Sequence, residues 1–124
     1  MPVRVFDAAT DGVPLPLISR NARLIVWPGS GANVASMNKV ILEPGEANVP
    51  HTHAESEDTI FVVEGRGSVR DSDNNLVLQV DAGCVIHVPE GVKHAVSAET
   101  RMVSVGGPCP PDLAMLRATG VLKE

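Results

Sequence analysis

Apolar residues in this chain come in short bursts, each ended by a turn. The bursts are ARLIVW (22–27), VASMNKVIL (34–42), TIFVVE (59–64), NLVLQV (75–80), CVIHVP (84–89), HAVSA (94–98) and RMVSV (101–105). Between them stand PGSG (28–31), EPGE (43–46), EGRG (64–67), DSDNN (71–75), DAG (81–83) and PEG (89–91), built from residues that reverse a chain. Short β-rich runs at this spacing predict an all-β antiparallel sandwich or barrel. DSDNN reads as a hairpin loop, and GGPCPP (106–111), stiff and poor in backbone donors, is expected to end the sheet. After that break DLAMLRAT (112–119) predicts one short C-terminal helix, with Asp112 as N-cap, Leu113, Ala114 and Leu116 near helical spacing, and Gly120 as the stop.

No linker, internal repeat or low-complexity tract interrupts the pattern, so residues 1–124 are read as a single domain. A chain of this length buries roughly two-thirds of its unfolded surface and folds without a disulfide. Its only aromatic residues are Phe6, Trp27 and Phe61, so the core is expected to be aliphatic. Net charge is −5 with no basic stripe, which argues against nucleic acid as a partner. The start MPVRVFDAATDG lacks a basic segment followed by an apolar run, and nowhere do 18 apolar residues follow one another. The expectation is a cytoplasmic, soluble protein with no membrane partner. Cys84 and Cys109 form no CxxC pattern and are expected to be free thiols, with Cys84 acting as a small hydrophobe. Met37, Met102 and Met115 are expected to fill core.

All four histidines, His51, His53, His87 and His94, fall within one 44-residue stretch. His51 and His53 are separated by one residue, and on a strand positions i and i+2 face the same way, about 7 Å apart. Two side chains can close that span onto a shared ion. Neutral imidazole with carboxylate suits Fe, Mn, Co, Ni, Cu or Zn, and the lack of a thiolate pair argues against a structural zinc site.

The context of these residues carries a family resemblance. The segment Gly45-EANVP-His51-Thr-His53-AESE-Asp58-TIFVVE-Gly65 resembles the first cupin motif, and Gly83-CVIHV-Pro89-Glu-Gly91-VK-His94-AVSA resembles the second. The resemblance covers about residues 40–98. It implies a cupin fold, a double-stranded β-helix or jelly-roll barrel, holding one divalent transition metal ion on His51, His53, His94 and a carboxylate. Asp58 stands where the family normally has Glu. The Asn that often closes the second motif is Ala98 here, and the usual acidic residue after Gly83 is Cys84.

Glu57 is the rival carboxylate. Counting back from Gly65 along a strand that cannot slip by one residue gives Asp58, with Ile60 and Val62 inward and Thr59, Phe61 and Val63 outward. Glu57 would need a local bulge to turn in. His87 shares its phase with Val85 and is left out of the ligand set, though pocket lining remains open to it.

Three His and one carboxylate leave positions open on a five- or six-coordinate ion, where substrate, water or dioxygen can bind. Walls of Val40, Leu42, Ile60, Val62 and Val96 would accept a small, partly apolar molecule chelating through oxygen. The leading expectation is a metal-dependent enzyme acting on a small oxygen-bearing compound, with dioxygenase-type chemistry first. A non-catalytic ligand- or sugar-binding module is the alternative, and an isomerase or lyase the third reading. With no Tyr in the chain, Glu57 and His87 are the nearby candidates for proton transfer. Small cupin barrels commonly pair through sheet edges, so a homodimer is expected, with an N-terminal PVRVF strand as its arm.

Overall fold

The structure is a computed structural model and describes residues 1–122. Among these residues nine strands form two antiparallel sheets: β1 (Val13–Pro14), β2 (Ala22–Val26), β3 (Met37–Leu42), β4 (Glu57–Glu64), β5 (Arg66–Asp71), β6 (Leu76–Asp81), β7 (Val85–Val88), β8 (His94–Ala98) and β9 (Met102–Cys109). The larger sheet has the order β1-β2-β3-β9-β4-β7 and the smaller β6-β5-β8. One helix, α1 (Leu113–Ala118), follows. This is the all-β barrel that the turn spacing implies.

The smaller sheet is wider than its three strands. Residues 45–51 run antiparallel to β8, with Gly45 N donating to Ala98 O (2.9 Å), Ala98 N to Glu46 O (2.8 Å) and Asn48 N to Val96 O (2.8 Å). His51 and His94 exchange both backbone bonds at 3.0 Å. Pro50 has no N–H to give, so the pairing is intermittent.

Alternation builds the interior. Along β4 Asp58 and Val62 are buried, Ile60 is partly buried, and Thr59, Phe61 and Val63 face out, the phase expected of a strand with one face on a core. Val40, Leu42, Val69, Val80, Ile86, Val88, Val96 and Met102 meet it from both sheets, and Leu15, Ile18, Leu24, Trp27 and Leu116 extend the same core. It is aliphatic apart from Trp27.

Four expectations need correction. The sheet does not stop at Gly106, because β9 continues to Cys109 and pairs Gly106 with Ile60, Gly107 with Thr59 and Pro108 with Asp58. A Cβ on Gly106 would lie 1.9 Å from Thr59 O, so glycine permits an approach that a side chain would block. Only Pro110 and Pro111, without N–H groups, end the pairing. The PVRVF segment forms no strand, and Val3 and Val5 are 95% and 93% exposed. Cys84 is exposed, because it closes the turn before β7, where its Sγ accepts from Asp81 N. Met37 is 45% exposed at the start of β3, whereas Met102 is buried and Met115 packs on the core.

Met102 is 1% exposed and sits beside Gly67 between the sheets. Met102→Ala is expected to lower unfolding free energy by about 2–5 kcal/mol. Leu78→Ala, at an exposed site, should change it by less than about 0.5 kcal/mol. Urea unfolding of both variants checks this, and equal midpoints would remove Met102 from the stabilising core.

Candidate metal centre

Four side chains from three parts of the chain converge at one end of the barrel. His94 opens β8 and His51 is its direct antiparallel partner, so their rings share a face, with centroids 4.4 Å apart. Asp58 enters from β4 in the other sheet. His53 comes from the segment joining the two, with Nε2 3.3 Å from Asp58 Oδ2, while His94 Nε2 lies 3.6 Å from the same oxygen. One ligand atom from each of His51, His53, Asp58 and His94 falls within 4.8 Å of the others.

The outward nitrogens of all three rings are already engaged. His51 Nδ1 donates to Val49 O (2.7 Å), His94 Nδ1 to Val92 O (2.9 Å) and His53 Nδ1 to Asp112 Oδ2 (2.8 Å). A carbonyl only accepts, so Nδ1 carries hydrogen in His51 and His94, and Nε2 presents its lone pair to the centre. Asp58 Oδ1 and His94 Nε2 are buried and have no hydrogen-bond partner. Leaving such a group unsatisfied costs about 1–3 kcal/mol. An ion on these nitrogens and the carboxylate satisfies both, and the donor set is one that divalent transition metals favour.

Burial drives the His51 pKa down to about 4, and the neighbouring His94 and His53 push the same way. Burial alone would raise Asp58, but the adjacent His53 and His94 imidazoles outweigh it and hold the carboxyl at about 2. His53 is pulled down by burial yet ends raised, because Asp58 and Asp112 both favour its charged form. At neutral pH the centre therefore offers a neutral His51 and an ionised Asp58, the forms a metal needs.

Glu57 and His87 are placed elsewhere. Both lie on the outer face of the barrel, where Glu57 Oε1 meets His87 Nε2 at 2.6 Å. The strand carries no bulge that turns Glu57 inward, so Asp58 alone of the two faces the histidines. His87 lines a different cleft, between the free edges of β6 and β7. Neither residue can serve proton transfer at the centre.

The cluster forms part of the wall of a small, partly open cavity of about 40 Å³. Val40, Leu42, Ile60 and Val96 line it as expected, whereas Val62 lies deeper, fully enclosed. Ile18 and Met115 add apolar lining from outside the strands that carry the ligands, and Asn38, Asn48 and Ser104 add neutral polar groups. Sequence reasoning did not anticipate these five, nor the second use of Asp112. A carboxylate at an N-cap has a spare oxygen, which is the signal available for it.

A family model described as cupin domain matches residues 38–106. Among curated proteins the chain is similar to oxalate oxidase 2 of Hordeum vulgare, 36% identical over 75 residues, covering 55% of this chain and 33% of that protein. The chain thus spans about a third of the length of that relative. Among solved structures, the polyketide cyclase RemF of Streptomyces resistomycificus aligns with a TM-score of 0.65 at 25% identity, covering 90% of this chain and 83% of that one. An uncharacterised double-stranded β-helix protein of Klebsiella pneumoniae aligns with a TM-score of 0.68 at 17% identity, over 90% and 92% of the two chains, which speaks to the fold.

Substituting His51, His53 or His94 by Ala should strip most bound metal while the barrel stays folded, because the aliphatic core is untouched. Asp58→Asn should weaken binding severely, and Glu57→Gln should leave it within about twofold, the scale of a surface change. Metal content and circular dichroism of the five purified variants check this. Wild-type metal content in any of the three His variants would remove that residue from the ligand set.

Proposed function

The chain belongs to the cupin domain family, and from that premise we propose that it is a metal-dependent enzyme acting on a small oxygen-bearing organic compound, with oxygen-consuming, dioxygenase-type oxidation as its chemistry. One observation carries the reading: three imidazole nitrogens and one carboxylate oxygen lie within 4.8 Å of one another in the wall of a cavity otherwise lined mainly by aliphatic side chains. When bound, a divalent transition metal supplies Lewis acidity and open positions for oxygen ligands.

The chain's own residues do the rest. Val40, Leu42, Ile60 and Val96 exclude water and seat the apolar part of the compound, while Asn38, Asn48 and Ser104 offer hydrogen bonds without charge. Asn48 is held in place, since its Oδ1 accepts from Val96 N at 3.2 Å. Among the described residues the cavity lining contains no Lys or Arg, so they supply no phosphate clamp and a carboxylate substrate would depend on the ion for its counter-charge. Nor, among the described residues, does the lining hold a titratable side chain outside the four candidate ligands. That favours chemistry in which the ion activates the reactants over chemistry needing a separate general base. The same absence supports the second reading, a module that binds a small ligand without turnover.

The chain is also proposed to pair with a second copy of itself. Phe61 and Val85 face each other across β4 and β7 on the outer sheet surface and stay 44% and 66% exposed; covering such apolar neighbours is favourable. Light scattering at micromolar concentration should give twice the chain mass, and a monomer mass would end the idea.

Protein purified without chelator should carry close to one transition metal ion per chain by elemental analysis. Oxygen uptake with a panel of catechols, β-diketones, 2-hydroxy acids and oxalate should then identify at least one substrate, with uptake abolished in His94→Ala. Oxalate is included because of the likeness to oxalate oxidase 2. Saturable binding with no turnover on any compound would replace the enzyme reading with the binding module.

A further inference from the structure

The three histidines are not held alike. His51 and His94 each give their Nδ1 hydrogen to a carbonyl two residues earlier, Val49 O and Val92 O, so their ring orientations are fixed within their own strand segments. His53 gives its Nδ1 hydrogen to the side chain of Asp112, 59 residues away, at the start of α1. The ring of His53 is 4% exposed and the Asp112 side chain 11%, so little water competes for this contact.

Asp112 also has a second task. Its Oδ1 accepts from Met115 N at 3.0 Å and caps the helix, while Oδ2 is the oxygen on His53. One carboxylate therefore joins the first turn of α1 to the back of a candidate ligand. The helix is not a passive tail, because Leu116 is buried in the core and Met115 forms part of the cavity wall. The segment before it is anchored as well, by Ser56 Oγ donating to Pro110 O at 2.6 Å.

We propose that Asp112 is a positioning residue for His53, and that through this contact docking of the C-terminal helix and occupancy of the metal centre stabilise each other. The inference rests on the metal-centre reading given above. Its physical basis is that a carboxylate can only accept, so Asp112 keeps hydrogen on Nδ1, directs Nε2 to the ion and fixes the plane of the ring. An ion that draws on Nε2 makes Nδ1–H a better donor, which tightens the bond to Asp112 and hence the first turn of α1. By linkage the factor gained in helix docking on metal binding equals the factor gained in metal affinity on helix docking.

Asp112→Ser separates the two tasks, since Ser remains a good N-cap but is too short to reach His53. Leu116→Ala is the comparison, because it loosens the same helix and leaves the carboxylate in place. Co²⁺ is the probe, added to metal-free protein and followed by its visible absorption, with hydrogen exchange of residues 113–118 measured in parallel. Asp112→Ser should bind Co²⁺ about 10- to 100-fold more weakly than wild type, by a larger factor than Leu116→Ala, and with an altered absorption band. Helix amides of the wild type should gain protection on Co²⁺ addition, and those of Asp112→Ser should gain none. Affinity in Asp112→Ser equal to wild type, or reduced no more than in Leu116→Ala, overturns the positioning role. A wild-type protein that takes up no Co²⁺ overturns the metal centre itself and this inference with it.

Discussion

The register of β4 is the constraint on which the rest of the molecule depends. The strand is hydrogen-bonded on both sides, to β9 and to β7, so it cannot shift by one residue without breaking two ladders. Period-two alternation then puts Asp58, Ile60 and Val62 on one face, and the same choice sends Glu57, Thr59 and Phe61 outward. A slip of one residue would bury Glu57 and Phe61 and expose Val62. Close contact with β9 depends on Gly106, whose missing side chain lets the Thr59 carbonyl approach, and so a glycine pair in the partner strand helps to set which carboxylate reaches the centre.

Against that fixed carboxylate the histidines are arranged from the opposite sheet. The reciprocal backbone pair between His51 and His94 places two rings on one face, and the barrel brings His94 Nε2 to 3.6 Å from Asp58 Oδ2 on β4. Buried polar groups are costly unless satisfied. Here satisfaction is complete on the outward side, where Val49 O, Val92 O and Asp112 accept from the three rings, and incomplete on the inward side, at His94 Nε2 and Asp58 Oδ1. That asymmetry is what distinguishes a prepared ligand set from a set of core histidines with ordinary partners.

The cavity's chemistry follows from what surrounds this set. Aliphatic walls lower the local dielectric and strengthen each electrostatic contact inside, while the neutral amides and hydroxyl offer orientation without charge. Outside the barrel, Glu57 and His87 pair with each other on the surface. Among the described residues, the titratable side chains lining the cavity are thereby limited to the four converging groups.

Much of this was legible in the chain. Turn residues between short apolar runs give the all-β architecture, HxH spacing gives two imidazoles on one side, and counting back from Gly65 selects Asp58, because each of these follows from local geometry with a fixed period. The C-terminal helix and its cap at Asp112 were readable for the same reason. The extension of β9 through Gly106 and Gly107 was not, because glycine's propensity points to a turn and only the approach of a neighbouring strand turns its small size into an advantage. Cys84 and Met37 were misplaced because apolar character says nothing of which turn or strand end a residue occupies. The contact between Asp112 and His53 lies furthest from the sequence. It joins residues 59 apart through the docking of a helix against the barrel, and no periodicity in a linear chain encodes which distant side chain will meet a ring's second nitrogen.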